Sequence, residues 1–311
     1  MKNNTAFNRF IIIALVVLII AVIAQQVCIS IAGATLQSKQ NELTQTNSEV
    51  QEAQNTKEQL TTKNSEQTLA WRNAQGRLAF SGDGSGKVCY LTFDDGPYTE
   101  LTNKNLEILK EKGACATWFC LANDEQYTYL DLSLCKTIEE AGSAIGIHDW
   151  DQDEHYRYYK GDVDNYFTSD FDKAKEKLEA AVGHEIKIAR FAGGSTTIGY
   201  YNSSIGTSLP QEMIKRGYQY FDWNVLAGDS ETSQMVNGKV PTKTIINNII
   251  SDAEKYAETN SPICVLMHDN PGKTTTTEAL PEVIDRLKEL GYSFKTLDFN
   301  TPGFYQKKIA E

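Results

Sequence analysis

Val88-Cys89-Tyr90-Leu91-Thr92-Phe93-Asp94-Asp95-Gly96-Pro97 is an apolar run that stops at two adjacent carboxylates and a Gly-Pro turn. Val88, Tyr90, Leu91 and Phe93 suit a strand covered on both faces, and Gly96-Pro97 cannot continue it. The two acids therefore stand at the strand's carboxyl end, the edge where parallel α/β sheets and barrels place their chemistry. Taken alone, Asp-Asp-Gly-Pro reads more readily as a polar turn. The rest of the chain decides between these readings.

Downstream the same rhythm repeats. A helix over Thr102–Gly113 is followed by a strand over Ala114–Leu121, a helix over Leu130–Ala141 and a strand beginning at Ala144-Ile145-Gly146-Ile147-His148. Phe167–Val182 reads as a helix, Ile186–Phe191 as a strand, Pro210–Arg216 as a helix and Tyr218–Val225 as a strand. Ile245, Ile246, Ile249, Ile250 and Ala253 form one helical stripe, and Ala279, Leu280, Val283, Ile284, Leu287 and Leu290 form another. Strands over Pro262–Met267 and Tyr292–Leu297 bring the total to some seven, alternating with helices, as in a βα barrel or a doubly wound sheet.

Polar residues gather at the predicted strand ends: Asp94-Asp95, His148-Asp149, Arg190, Asp229 and His268-Asp269. Two of the chain's four histidines are among them. Carboxylates and imidazoles without a cysteine ligand suit a divalent metal with open positions, able to polarise a carbonyl and activate water. The six cysteines, Cys28, Cys89, Cys115, Cys120, Cys135 and Cys264, show no zinc-knuckle spacing and read as buried thiols with one or two bridges.

The amino-terminal region is of another kind. No charged residue occurs from Phe10 to Ser38, and Lys2 and Arg9 lie on the amino side of the apolar run. Residues 1–9 read as a cytoplasmic tail and 10–34 as a single transmembrane signal anchor, with all that follows outside the cytoplasm at the cell membrane. The alternative is a cleaved signal peptide ending at Ala32-Gly33-Ala34. Residues 35–86 form a polar stalk and linker, where Leu36, Leu43 and Val50 at heptad spacing give only a thin seam for self-association. The compact domain runs over 87–300. The first 70 residues carry five basic and five acidic side chains, so the net charge of -11 belongs to the remainder. A surface so acidic argues against a nucleic-acid partner.

Thr92-Phe93-Asp94-Asp95-Gly96-Pro97, Gly113 to Phe119, Arg190-Phe191-Ala192-Gly193-Gly194-Ser195, Trp223-Asn224 through Gly228-Asp229, and Leu266-Met267-His268-Asp269 together resemble the polysaccharide deacetylases with a NodB-homology domain, carbohydrate esterase family four. The resemblance covers about residues 87 to 300. It implies a distorted (β/α)7-8 barrel and the hydrolysis of N-acetyl groups on amino sugars of a cell-wall polysaccharide, peptidoglycan first among them. It implies Asp94 as general base, Asp95 and His148 as metal ligands, and Arg190 as the partner that keeps Asp94 ionised. His268 becomes the acid for the leaving amine, steadied by Asp229, and the main-chain N–H near Gly193 faces the oxyanion.

The sequence departs from the family at two places. Ala192 replaces a proline, and in His148-Asp149-Trp150-Asp151-Gln152 a glutamine stands where the family's second metal-binding histidine belongs. An amide oxygen is a weaker donor to zinc than imidazole, so the cofactor is a divalent ion, zinc or a harder one. Asp149, Asp151, Asp153 and His155 lie close enough in sequence to substitute. A weakened metal site opens two alternatives: a catalytically impaired member that binds glycan, and an O-acetyl esterase on another polysaccharide.

Overall fold

A computed structural model of the chain describes residues 3–81, 86–152 and 155–306; side chains are not described for 3–12, 58, 61–62, 64–81 and 155–156. The chain divides into two compact units between Lys63 and Asn64. Residues 3–63 of the first belong to helix α1 (Asn3–Ser81), the one helix among the described residues with a stretch long and apolar enough to cross a membrane, its most apolar 18-residue window having a mean hydropathy of 2.6. Its aliphatic side chains from Ile13 to Ile31 are exposed, and Leu36, Leu43 and Val50 continue as exposed apolar positions among polar residues.

The second unit is built on eight parallel strands: β1 (Val88–Asp94), β2 (Ala116–Cys120), β3 (Ala144–Ile147), β4 (Ile188–Ala189), β5 (Gln219–Tyr220), β6 (Val225–Leu226), β7 (Ile263–His268) and β8 (Ser293–Phe294). They lie in the order β5-β4-β3-β2-β1-β7-β6, with β8 paired to the start of β1. No pairing joins β5 to β6 among the described residues, so the distorted barrel is open on that side. β1 is central and covered on both faces, which is why it reads as an uninterrupted apolar run.

The helices cover the sheet with the predicted stripes. α2 (Thr99–Lys112) ends on Gly113 in the left-handed conformation. α9 (Thr242–Glu258) buries Ile245, Ile246, Ile249, Ile250 and Ala253, and α10 (Thr274–Glu289) buries Ala279, Leu280, Val283, Ile284 and Leu287. α3 (Leu134–Glu140), α4 (His155–Lys160), α5 (Val163–Tyr166), α6 (Asp172–Val182), α7 (Ser195–Tyr201) and α8 (Ser208–Lys215) complete the set.

Three sequence expectations change. The strand expected over Tyr218–Val225 is two short strands, β5 and β6, at opposite edges of the sheet. The chain leaves β5 at Asp222, whose amide donates to Phe304 O at 3.1 Å. It is caught again at Asn224, whose side chain receives the Cys264 amide at 2.7 Å and donates to Pro262 O at 3.1 Å. The helix expected over Phe167–Val182 opens with a π-helical turn, Phe167–Phe171, which brings Phe167, Asp170 and Phe171 inward together. All six cysteines are unpaired thiols, and of these only Cys28 is exposed.

Candidate active site

The register of β1 against β7 sets Asp94 opposite His268, and β1 and β3 both end on the same rim. Asp95 is the first residue beyond β1 and takes φ 73, a conformation that a non-glycine residue holds only where its surroundings dictate it. The turn is packed from beneath by Asp269, whose amide donates to Asp94 O at 2.9 Å. A Cβ on Gly96 would lie 2.9 Å from the Asp269 carboxylate, so the third residue of the turn must be glycine. Asp269 in turn accepts from Trp118 Nε1 at 2.7 Å, from Asn105 Nδ2 at 2.8 Å and from Thr102 Oγ1.

Arg190 follows β4 and is fully buried. Its Nη1 donates to Asp94 Oδ1 at 2.8 Å and to Thr92 Oγ1 at 2.6 Å, while Nε and Nη2 donate to the carbonyls of Phe221 and Asp222. The guanidinium stacks on Phe119 at 4.2 Å. Every donor group is engaged, as a buried charge requires. The ion pair leaves Asp94 Oδ2 directed across the rim, 3.7 Å from His148 Nε2.

His148 Nδ1 donates to Arg190 O at 2.8 Å, which fixes the tautomer and leaves Nε2 as an electron-pair donor. That atom lies 3.6 Å from Asp95 Oδ1, a buried oxygen with no hydrogen-bond partner. Asn270 Nδ2 holds the other oxygen, Oδ2, at 3.1 Å. Burial pushes the Asp95 carboxyl up, while His268 and His148 pull it down. An unpartnered carboxylate oxygen 3.6 Å from an imidazole nitrogen suits a divalent cation, because donors about 2 Å from a shared ion stand this far apart. Gln152 also reaches the site, and its side chain bonds Asp95. A carboxamide can offer its oxygen to an ion in place of that bond.

Asp149 and Asp151 do not complete such a site. Asp149 is fully buried behind the loop, where burial and the neighbouring Asp170 push its carboxyl well up. Asp170 Oδ1 accepts from the amides of Trp150 at 2.8 Å and Asp151 at 3.2 Å, bracing the loop that carries His148 and Gln152. Asp151 Oδ1 accepts from Tyr127 Oη at 2.7 Å. Asp153 and the His155 side chain lie outside the described residues.

On the other side of Asp94, His268 Nδ1 donates to Asp229 Oδ1 at 2.7 Å and the His268 amide donates to Asp229 Oδ2 at 2.9 Å. Burial alone would lower the His268 pKa, but the Asp229 charge and hydrogen bond push it up to about 9. Asp229 is held below its ordinary range, its burial outweighed by His268 and Lys273. The imidazolium is therefore the resting form at neutral pH. Gly193 sits exposed on the same rim with φ 68, between Ala192 and the start of α7.

The sequence pointed neither to Asn270 nor to Asp170, nor to Thr92 as an acceptor for Arg190, and it placed Asp269 at the rim without a role. Asp269 and Asn270 directly follow His268, and that position beside a site residue was the available signal. Asp170 had none, because only the π-turn brings it to the loop.

Residues 81–214 match the family model for polysaccharide deacetylase. The Bacillus subtilis protein YheN, classed with the polysaccharide deacetylases, is 29% identical over 247 residues, 78% of this chain and 77% of its own. A peptidoglycan-N-acetylglucosamine deacetylase of Bacillus cereus is 27% identical over 74% of this chain and 76% of its own. The catalytic domain of a peptidoglycan N-acetylglucosamine deacetylase from Eubacterium rectale superposes with a TM-score of 0.61 at 26% identity, covering 72% of this chain and 94% of that domain. An open parallel βα barrel with acids, imidazoles and a buried arginine on its carboxyl rim defines a class of hydrolase that removes acetyl groups from carbohydrates. Residues 81–214 are a polysaccharide deacetylase domain, and the fold that contains them is of the NodB-homology type.

Proposed function

We propose that the chain is a membrane-tethered, metal-dependent N-deacetylase that acts outside the cytoplasm on the N-acetylated amino sugars of peptidoglycan. The observation that carries the reading is the unpartnered Asp95 Oδ1 facing His148 Nε2, with the charged His268–Asp229 pair opposite Asp94. A divalent ion, zinc or a harder one, held by Asp95, His148 and the Gln152 amide, would polarise the acetamide carbonyl and acidify water. Asp94, paired with and oriented by Arg190, takes the proton from the attacking water. The Gly193 amide stabilises the oxyanion, and His268 delivers a proton to the departing amine while Asp229 holds its ring. The relatives that act on peptidoglycan support the substrate, and the apolar part of α1, with Lys2 and Arg9 before it, supports an anchor with the domain outside.

One observation favours a second reading. Gln152 gives its side chain to Asp95, and in a histidine's place such a bond competes with coordination. A chain so impaired would bind glycan without cleaving it. Incubation with purified peptidoglycan, followed by mass spectrometry of the muropeptides, separates the two. The deacetylase leaves free glucosamine amines, the binding protein leaves the sugars unchanged, and an O-acetyl esterase removes only ester-linked acetyl groups.

A further inference from the structure

Past β8 the chain returns to the open side of the barrel. Residues 301–306 lie as a strap against Asp222, in the break between β5 and β6. Phe304 is fully buried and meets Tyr90 of β1 edge to face, with centroids 5.7 Å apart. Tyr305 packs on Tyr220 with centroids 4.6 Å apart, and its hydroxyl accepts from Gln219 Nε2 at 2.9 Å. Two main-chain amides join strap and break: Asp222 N donates to Phe304 O at 3.1 Å, and Gln306 N donates to Asp222 Oδ2 at 2.8 Å.

Asp222 is fully buried. Its Oδ1 accepts from the Ser195 amide at 2.8 Å and its Oδ2 from Ser195 Oγ at 2.6 Å, while its carbonyl accepts from Arg190 Nη2 at 3.1 Å. Ser195 follows Gly193 and Gly194, which take φ 68 and 82, so the turn that presents the Gly193 amide has little stiffness of its own. Gln306 also closes that turn from outside. Its Oε1 accepts from Thr196 Oγ1 at 3.1 Å, and a Cβ on Gly194 would lie 3.1 Å from the same oxygen.

We infer that Asp222 and the carboxy-terminal strap form a positioning device for catalysis, in which Gln306 holds the Asp222 carboxylate and Asp222 fixes both the Gly193–Ser195 turn and Arg190. A buried carboxylate must be satisfied by hydrogen-bond donors, and the three on Asp222 come from the two segments that it joins. Loss of the strap's donor therefore slackens the turn. An oxyanion donor acts only when it is aimed at the charge that develops in the transition state, so a slack turn costs turnover and leaves substrate affinity alone. The oxyanion role rests on the deacetylase reading of the site.

The test compares three variants of the full-length protein in detergent. Gln306→Pro removes the strap's amide donor, Asp222→Asn sets an amide against it, and Val283→Ala, in the buried face of α10, controls for plain loss of stability. Each is loaded with zinc, assayed for acetate release from N-acetylglucosamine oligomers and followed by hydrogen exchange. Gln306→Pro and Asp222→Asn should lower kcat on the order of 10- to 10²-fold, with KM and zinc content within about twofold of wild type. Amides over 191–197 should exchange about tenfold faster or more in both. Val283→Ala should lower the melting temperature without either change. If Asp222→Asn does not fold, Gln306→Pro decides. Unchanged exchange over 191–197 in Gln306→Pro, a kcat loss equalled by Val283→Ala, or a loss that follows zinc content or KM would overturn the positioning role. A wild type that releases no acetate would sink the deacetylase reading alone, since the exchange comparison still decides whether the strap holds the turn.

Discussion

Gln152 is where the family pattern and this chain part, and its side chain lies against Asp95. Gln152→His exchanges a neutral amide for an imidazole, so zinc should bind more tightly, by about 10-fold or more in competition with a chelator, and acetate release should rise. No change on Gln152→His, with loss of metal on His155→Ala, would show that the loop supplies its third ligand elsewhere. His268→Ala should lower turnover by about 10²–10⁴-fold with metal content preserved, since His268 pairs with Asp229 and is assigned to proton transfer. The same pair sets a pH dependence. Folding raises the His268 pKa from 6.5 to about 9, so the pair's contribution to stability is complete below 6.5 and is lost as pH rises through about 9. Deacetylation should lose its acid on the same alkaline limb. In Asp229→Asn the limb moves to lower pH, and a limb that stays in place would dissociate His268 from it.

At the scale of elements, the long central strands and the amphipathic helices were legible because burial on two faces, or along one stripe, writes itself into the residue order. β1, β7, α9 and α10 are cases. The two-residue strands β4, β5 and β6 carry no such periodicity. Tyr218 to Val225 looks like one strand because both ends are apolar, while the break at Asp222 and Asn224 depends on partners more than 35 residues away. Pair geometry was equally hidden: the motif named Arg190 and Asp94, but not the stacking of Arg190 on Phe119. Gly146 tests that packing. A Cβ there would come within 2.6 Å of the Phe119 ring. Gly146→Ala should therefore cost about 1–3 kcal/mol in denaturant unfolding and lower turnover by displacing Arg190. Wild-type stability would show that Phe119 has room to move.

For the whole molecule, the uncharged stretch from Phe10 to Ser38 predicts that protease added to intact cells releases the domain, whereas a protected domain, or one free in the medium beginning at Thr35, would contradict the anchor. The central claim is that one divalent ion at Asp95 and His148 drives removal of N-acetyl groups. It is tested most directly by following acetate release from N-acetylglucosamine oligomers while the chelator-treated full-length protein is titrated with zinc and, separately, with manganese. The expected result is no release without metal, restoration that saturates near one ion per chain, and loss of that binding in Asp95→Ala and His148→Ala. Oligomers bound but never deacetylated, with no metal taken up by either the native or the Gln152→His protein, would contradict it.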